Sequence, residues 1–164
     1  MNQPLHIVEL TPDDAAPLLS FYHSLSPAVT EVFLPFDAVS WDTLEAHLAE
    51  AARGIHLSLA LVTDTGEIVG HGFIANIRSM APTLGIGLRD DYIGRGYGRM
   101  LMEQLLALAD ADNLPLVTLT VVKSNERALR LYLRCGFRIT GEATFRAPND
   151  SWYMERRAEQ NQPP

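Results

Sequence analysis

The sequence predicts an α/β protein of the mixed α+β kind: one mixed sheet of about seven strands with helices on both faces. Three observations carry that expectation. Two β-rich runs, Ile55 to Val62 and Glu67 to Ile77, are joined by Thr63-Asp64-Thr65-Gly66, a hairpin signal. A third β-rich run, Thr83 to Leu88, leads through a glycine-rich break into a strong helix. A further strand, Leu116 to Val122, leads into a second helix that stops at Gly136. Hairpins combined with strand-helix-strand units give the order β-α-α-β-β-β-α-β-α-β-β.

Each element has its own warrant. Leu5 to Leu10 is a short apolar strand. Thr11 caps the first helix, with Pro12 at its first position, Asp13-Asp14 in the first turn and Leu18, Leu19, Tyr22 and Leu25 as its apolar stripe. The segment from Ser26 to Val39 carries Pro27 and Pro35 and reads as a loop with room for one helical turn. Ser40 opens the next helix, Leu44 and Leu48 lie one turn apart on it, and Gly54 ends it. From about Arg99 to Ala111 few residues are β-branched, which suits a helix, and Asn113 and Pro115 stop it. Thr118 and Thr120 alternate with Val117, Leu119 and Val121 along the strand that follows. Ser124 or Asn125 caps the last helix. Phe137 to Phe145 and Ser151 to Arg157 close the chain as a hairpin turning at Pro148-Asn149-Asp150. The organisation expected is one domain over residues 1–158 and a disordered tail over 159–164.

Composition narrows the function. At 164 residues the chain has the length of about one domain, and 47% apolar with 20% charged residues is an ordinary globular balance. No apolar run approaches the roughly 20 residues a bilayer span needs, and the N-terminus does not read as a secretory signal. Cys135 is the sole cysteine, which fits a reducing, cytoplasmic compartment. The net charge of -7 argues against a nucleic-acid partner and mildly favours a cationic substrate.

Between strand and helix stands Asp91-Tyr92-Ile93-Gly94-Arg95-Gly96-Tyr97-Gly98-Arg99. Unpaired N–H groups and the dipole at a helix start attract anions. Glycines let the backbone approach a phosphate, and Arg95 and Arg99 can add charge-assisted hydrogen bonds. The dinucleotide pattern Gly-x-Gly-x-x-Gly fails because Arg99 stands where its last glycine belongs, and no Gly-Lys-Ser/Thr closes a P-loop. An ordinary glycine-rich loop is the alternative. In the second segment, Asn125 to Phe137, the residues Ala128, Leu131, Tyr132 and Cys135 fall at i, i+3, i+4 and i+7 and share one buried face. On spacing alone Tyr132 is a core tyrosine whose hydroxyl is satisfied by backbone, and Asn125 is a helix cap.

Together the two segments resemble the GNAT superfamily of acetyl-CoA-dependent N-acetyltransferases. Ile93-Gly94-Arg95-Gly96-Tyr97-Gly98 resembles its Gln/Arg-x-x-Gly-x-Gly/Ala motif, and Asn125 through Phe137 its Asn-x-x-Ala-x-x-Leu-Tyr-x-x-x-Gly-Phe motif. The resemblance implies a twisted, mostly antiparallel sheet, splayed between the strands ending at Leu88 and Val122. It implies acetyl-CoA as co-substrate and no metal. The backbone of Ile86, Gly87 and Leu88 would pair with the pantetheine arm, the segment Gly94, Arg95, Gly96, Tyr97, Gly98 and Arg99 would hold the pyrophosphate, and Asn125 would contact the arm. Tyr132 would act as general acid toward the departing thiolate, in a direct attack by the substrate amine that leaves Cys135 structural. Ile93 departs from the motif's Gln/Arg, but its main-chain donor is expected to serve. The base is open: a water chain, or Glu31, His71 or Asp37. Thr120 stands where relatives that acetylate protein N-termini carry glutamate.

The acceptor side, implied by the same resemblance, is Leu25 to Val39 and the turn from Phe145 to Trp152. Phe33 and Phe36 read as packing residues there. Three functions stay open: acetylation of a primary amine of a small molecule, acetylation of a protein lysine or N-terminus, and a non-catalytic acyl-CoA sensor. Many members of the family are dimers, so a homodimer is the default.

Overall fold

The protein, a computed structural model, is described over residues 4–158, and the expected disordered tail lies outside the described residues. A single seven-stranded sheet runs through it, in the order β1-β2-β3-β4-β5-β7-β6. The strands are β1 (Leu5–Glu9), β2 (Leu57–Thr63), β3 (Ile68–Ala75), β4 (Thr83–Leu88), β5 (Leu116–Val122), β6 (Arg138–Ala143) and β7 (Ser151–Arg157). Every neighbouring pair is antiparallel except β4 and β5, which run parallel. The helices are α1 (Ala15–His23), α2 (Pro27–Thr30), α3 (Trp41–Ala52), α4 (Tyr97–Ala111) and α5 (Glu126–Arg134).

Local chemistry sets the helix ends. The Asp14 carboxylate accepts the Thr11 N–H at 2.8 Å, and Pro12 to Asp14 form a 3-10 turn before α1. Ser40 and Asn125 accept N–H groups of Thr43 and Ala128 and so cap α3 and α5. Of the two caps proposed for the last helix, the structure selects Asn125. Gly54 (φ 77°) and Gly136 (φ 93°) take the left-handed conformation just past α3 and α5. At the β6–β7 turn the Asp150 carboxylate accepts N–H groups from Phe145, Arg146 and Ala147 at 2.8–3.0 Å. Those backbone donors hold it ionised well below the usual carboxylate range. From the same turn Arg146 donates to the Thr30 carbonyl at 3.0 Å, tying the hairpin to α2.

Two apolar layers sandwich the sheet. One joins α4 to the strands through Leu101, Met102, Leu105, Leu119, Phe137 and Met154. Helix α4 rests so close on β3 that a Cβ at Gly72 would lie 2.8 Å from Leu105. The other layer places Leu18, Phe21, Tyr22, Leu44 and Leu48 of α1 and α3 against Ala60 and Ile68. Phe21 is 1% exposed, whereas Leu19 is only partly buried. The stripe of α1 therefore turns further than its spacing suggested, because α1 packs on α3 as well as on the sheet.

Candidate functional site

β4 and β5 meet at one register pair, Thr83 with Thr118, fastened by the Thr118 N–H to the Pro82 carbonyl at 2.8 Å. Beyond it toward Leu88 and Val122 no further pairing joins them. The sheet is thus split on one side of that pair, and a cavity of about 750 Å³ opens there. One wall is β4 from Leu84 to Leu88, and the opposite wall is Thr120, Val121, the cap residue Asn125 and the α5 residues Arg127, Ala128, Arg130, Leu131, Tyr132 and Arg134. Ile93, Gly94, Gly96, Gly98 and Arg99 close one end, and Ala28, Val29, Val32 and Phe33 of α2 and the loop after it close a side.

The glycine-rich end is shaped for an anion. Gly94 (φ 80°) and Gly96 (φ 88°) occupy the left-handed region that other residues adopt with strain. Gly96 precedes α4 directly, so the helix begins two residues before the expected Arg99. The first backbone bond of α4 runs from Met100 to the Gly96 carbonyl, so the N–H groups of Tyr97, Gly98 and Arg99 have no partner within the helix. They sit at the positive end of its dipole. Two expectations shift. The Ile93 N–H, expected to serve as a donor, is engaged with the Asp90 carbonyl at 3.2 Å. Arg95 and Tyr97 are not among the lining residues, and the Tyr97 ring packs on Tyr92 at 6.0 Å.

On the α5 wall the buried face forecast from spacing is mostly half-exposed: only Tyr132 is buried, because that face opens on the cavity. The Tyr132 hydroxyl has no hydrogen-bond partner among the described residues, yet it is not sealed away from solvent. This differs from the core tyrosine satisfied by backbone. Burial, and then the neighbouring Cys135, push its ionisation further above the ordinary tyrosine value, so it holds its proton at neutral pH. Burial first, and Glu103 second, also raise the Cys135 thiol, which lies outside the lining. Asn125 both caps α5 and lines the cavity.

None of the three candidate bases faces the cavity. Glu31 and Asp37 are exposed and absent from the lining. His71 is fully buried on β3, bonded through Nδ1 to the Tyr22 hydroxyl at 2.7 Å and through Nε2 to Ser58 Oγ at 2.8 Å. Ser58 continues to His47 Nε2 at 3.0 Å, completing a buried polar chain beneath α1 and α3. Tyr22 stacks on Phe33, which occupies the space a side chain at Gly87 would need. The one carboxylate in the lining is Asp90, which accepts the Ser26 hydroxyl at 2.5 Å and fastens the start of α2 to the segment after β4. Sequence reading passed over Asp90, Arg127, Arg130 and Arg134. The arginines were legible as an i, i+3, i+7 stripe, whereas Asp90 joins the site only through tertiary closure. Among the described residues no group of three or more His, Cys, Asp or Glu side chains is placed for a metal ion, and no helix is long and apolar enough to cross a membrane.

The sequence profile of the acetyltransferase (GNAT) family matches residues 19–137 of this chain. No curated protein matches it. Solved structures that share its fold include a ribosomal-protein-S5-alanine acetyltransferase from Vibrio fischeri, 16% identical, with TM-score 0.82 over 99% of this chain and 98% of the other. The Salmonella typhimurium protein yncA, solved with its cofactor acetyl-CoA, is 18% identical, with TM-score 0.80 over 98% of each chain. A spermidine N-acetyltransferase from Vibrio cholerae, in complex with CoA and spermine, is 19% identical, with TM-score 0.72 over 92% and 94%.

Proposed function

The chain belongs to the GNAT family of acetyltransferases, and from that premise we propose that it transfers the acetyl group of acetyl-CoA to a primary amine of a small molecule in the cytoplasm. The observation that carries the reading is the split between β4 and β5 ending at the unpaired N–H groups of α4. An extended arm fits the split, and a diphosphate fits the helix start. Acetyl-CoA supplies an activated thioester. The chain's part is to hold and orient it: Ile86, Gly87 and Leu88 along the arm, Gly94 to Arg99 at the diphosphate, Asn125 and Ala128 on the far wall. An amine entering beside Phe33 attacks directly, with no acyl-enzyme, and its proton leaves through water. Tyr132 donates its hydroxyl proton to the departing thiolate.

The apolar wall of Ala28, Val29, Val32 and Phe33 with Asp90 as the lone carboxylate suits an amine on an apolar body. A protein lysine or N-terminus is the alternative acceptor, and a cofactor sensor without catalysis is the other. The protonated Tyr132 hydroxyl beside the cavity favours catalysis over the sensor.

Calorimetric titration with acetyl-CoA, CoA and NAD tests the cofactor site. Acetyl-CoA and CoA are expected to bind and NAD to fail. Gly96→Glu adds a like charge at the diphosphate end and forces a side chain into φ 88°. It should lower acetyl-CoA affinity by at least about tenfold. Gly96→Asn, which tolerates the left-handed region, should stay within a few-fold. Unchanged affinity in Gly96→Glu would remove the phosphates from this loop.

A further inference from the structure

Arginines crowd this cavity in a chain whose net charge is -7: Arg99 from α4, and Arg127, Arg130 and Arg134 from α5. The α5 three recur at i, i+3 and i+7, which places them along one face over about 10 Å of helix. Ordinary surface pairing explains part of the group. Arg99 bonds Glu103 at 2.7 Å, and Arg130 reaches the exposed Glu126 loosely at 3.8 Å. Arg127 and Arg134 make no ion pair with any described residue. The helix dipole accounts for Arg134, in the last turn, but opposes Arg127, in the first.

Arg127 does not lean away from the anion-binding loop. Its guanidinium covers Gly94, with Nη1 2.7 Å from where a Cβ would stand. The inner end of the stripe therefore belongs to the diphosphate loop, and Arg130 and Arg134 extend one and two turns beyond it.

We propose that Arg130 and Arg134 form a separate anion subsite that reads the 3′-phosphate on the adenosine ribose of CoA, so that the protein discriminates CoA from its 3′-dephosphorylated form. This rests on the acetyl-CoA reading above. The backbone N–H groups before α4 serve the diphosphate, which both molecules share. Only the outer guanidinium groups meet a charge that differs between the two. Guanidinium groups suit the task, since they are permanently charged and grip phosphate oxygens in pairs.

The experiment is calorimetric titration of CoA and dephospho-CoA into the wild-type protein and into the Arg130→Gln/Arg134→Gln double variant. Both side chains are exposed, and a melting curve checks that the variant is folded. Wild type should prefer CoA by about tenfold or more. The double variant should bind the two ligands within about threefold, through loss of CoA affinity alone. Added salt should narrow the wild-type gap. Equal wild-type affinities, a gap that survives the double substitution, or an equal loss for both ligands would each overturn the subsite while leaving the acetyl-CoA reading in place. If neither ligand binds wild type, that reading fails and takes the subsite with it.

Discussion

Tyr132→Phe is expected to lower turnover on a responsive amine by more than tenfold while leaving acetyl-CoA affinity within a few-fold. General acid catalysis contributes roughly 10² to 10⁴ in rate, and a tenfold loss is about 1.4 kcal/mol of barrier. The substitution is a clean probe because of what surrounds the hydroxyl. It has no hydrogen-bond partner among the described residues, so its removal orphans no buried donor or acceptor. The ring keeps its place against Phe137, 6.0 Å away. Stability should therefore hold, and a melting curve beside the steady-state rates checks it. Because burial keeps the hydroxyl protonated, the wild-type rate should not fall near the ordinary tyrosine value for lack of this acid. Unchanged turnover would remove Tyr132 from the acid role.

Acidification is expected to weaken the fold well before the carboxylates titrate. Burial pushes His47 down to about 4, with His56 beside it adding to the effect and Glu50 opposing it. Burial, and then His47, hold His71 well below its ordinary value in the same way. Both imidazoles are neutral in the folded state, whereas the unfolded chain takes up protons near 6.5. Stability is thus fully present above pH 6.5. It is lost as the pH falls from there toward 4, where His47 also charges in the folded state. For His47, which is 6% exposed, the shift corresponds to about 3 kcal/mol. His71 adds to the loss in the same direction. The groups packed around the pair are Tyr22 of α1, Glu50 of α3, His56, which bonds Glu50 at 2.6 Å, and Ser58 of β2. Thermal melts between pH 7 and 4.5 should show a steep decline in wild type and a shallower one in His47→Gln, whose amide can still bond Ser58. Parallel profiles for the two proteins would assign the acid loss elsewhere.

Sequence alone disclosed local features best. Asn125, Gly54 and Gly136 end helices through short-range geometry, so their roles could be read directly. Strand limits were less legible. Ile55 looked like strand, but its carbonyl accepts from Ile77 while the His56 ring accepts from Asn76, both outside the ladder of β2. The glycine-rich loop and Tyr132 were found by motif, and the structure brings them to one cavity. His71 reads as a candidate base in the sequence, where nothing local reveals that Tyr22, 49 positions away, and Ser58, 13 positions away, will engage both ring nitrogens. Asp90 was missed for the same reason, since its partner Ser26 precedes it by 64 positions.

The single bridge between β4 and β5 also bears on how the molecule breathes. One group of strands is zipped from β1 to β4 and another from β5 to β6, and they share a seam with little ladder bonding of its own. With so few backbone bonds across it, such a seam forms a natural boundary between units that open sub-globally. A ligand lying along it fastens both groups at once, and mass action converts its occupancy into a higher melting temperature. With CoA held constant, a further rise on adding a compound would flag that compound as an acceptor before any product is measured.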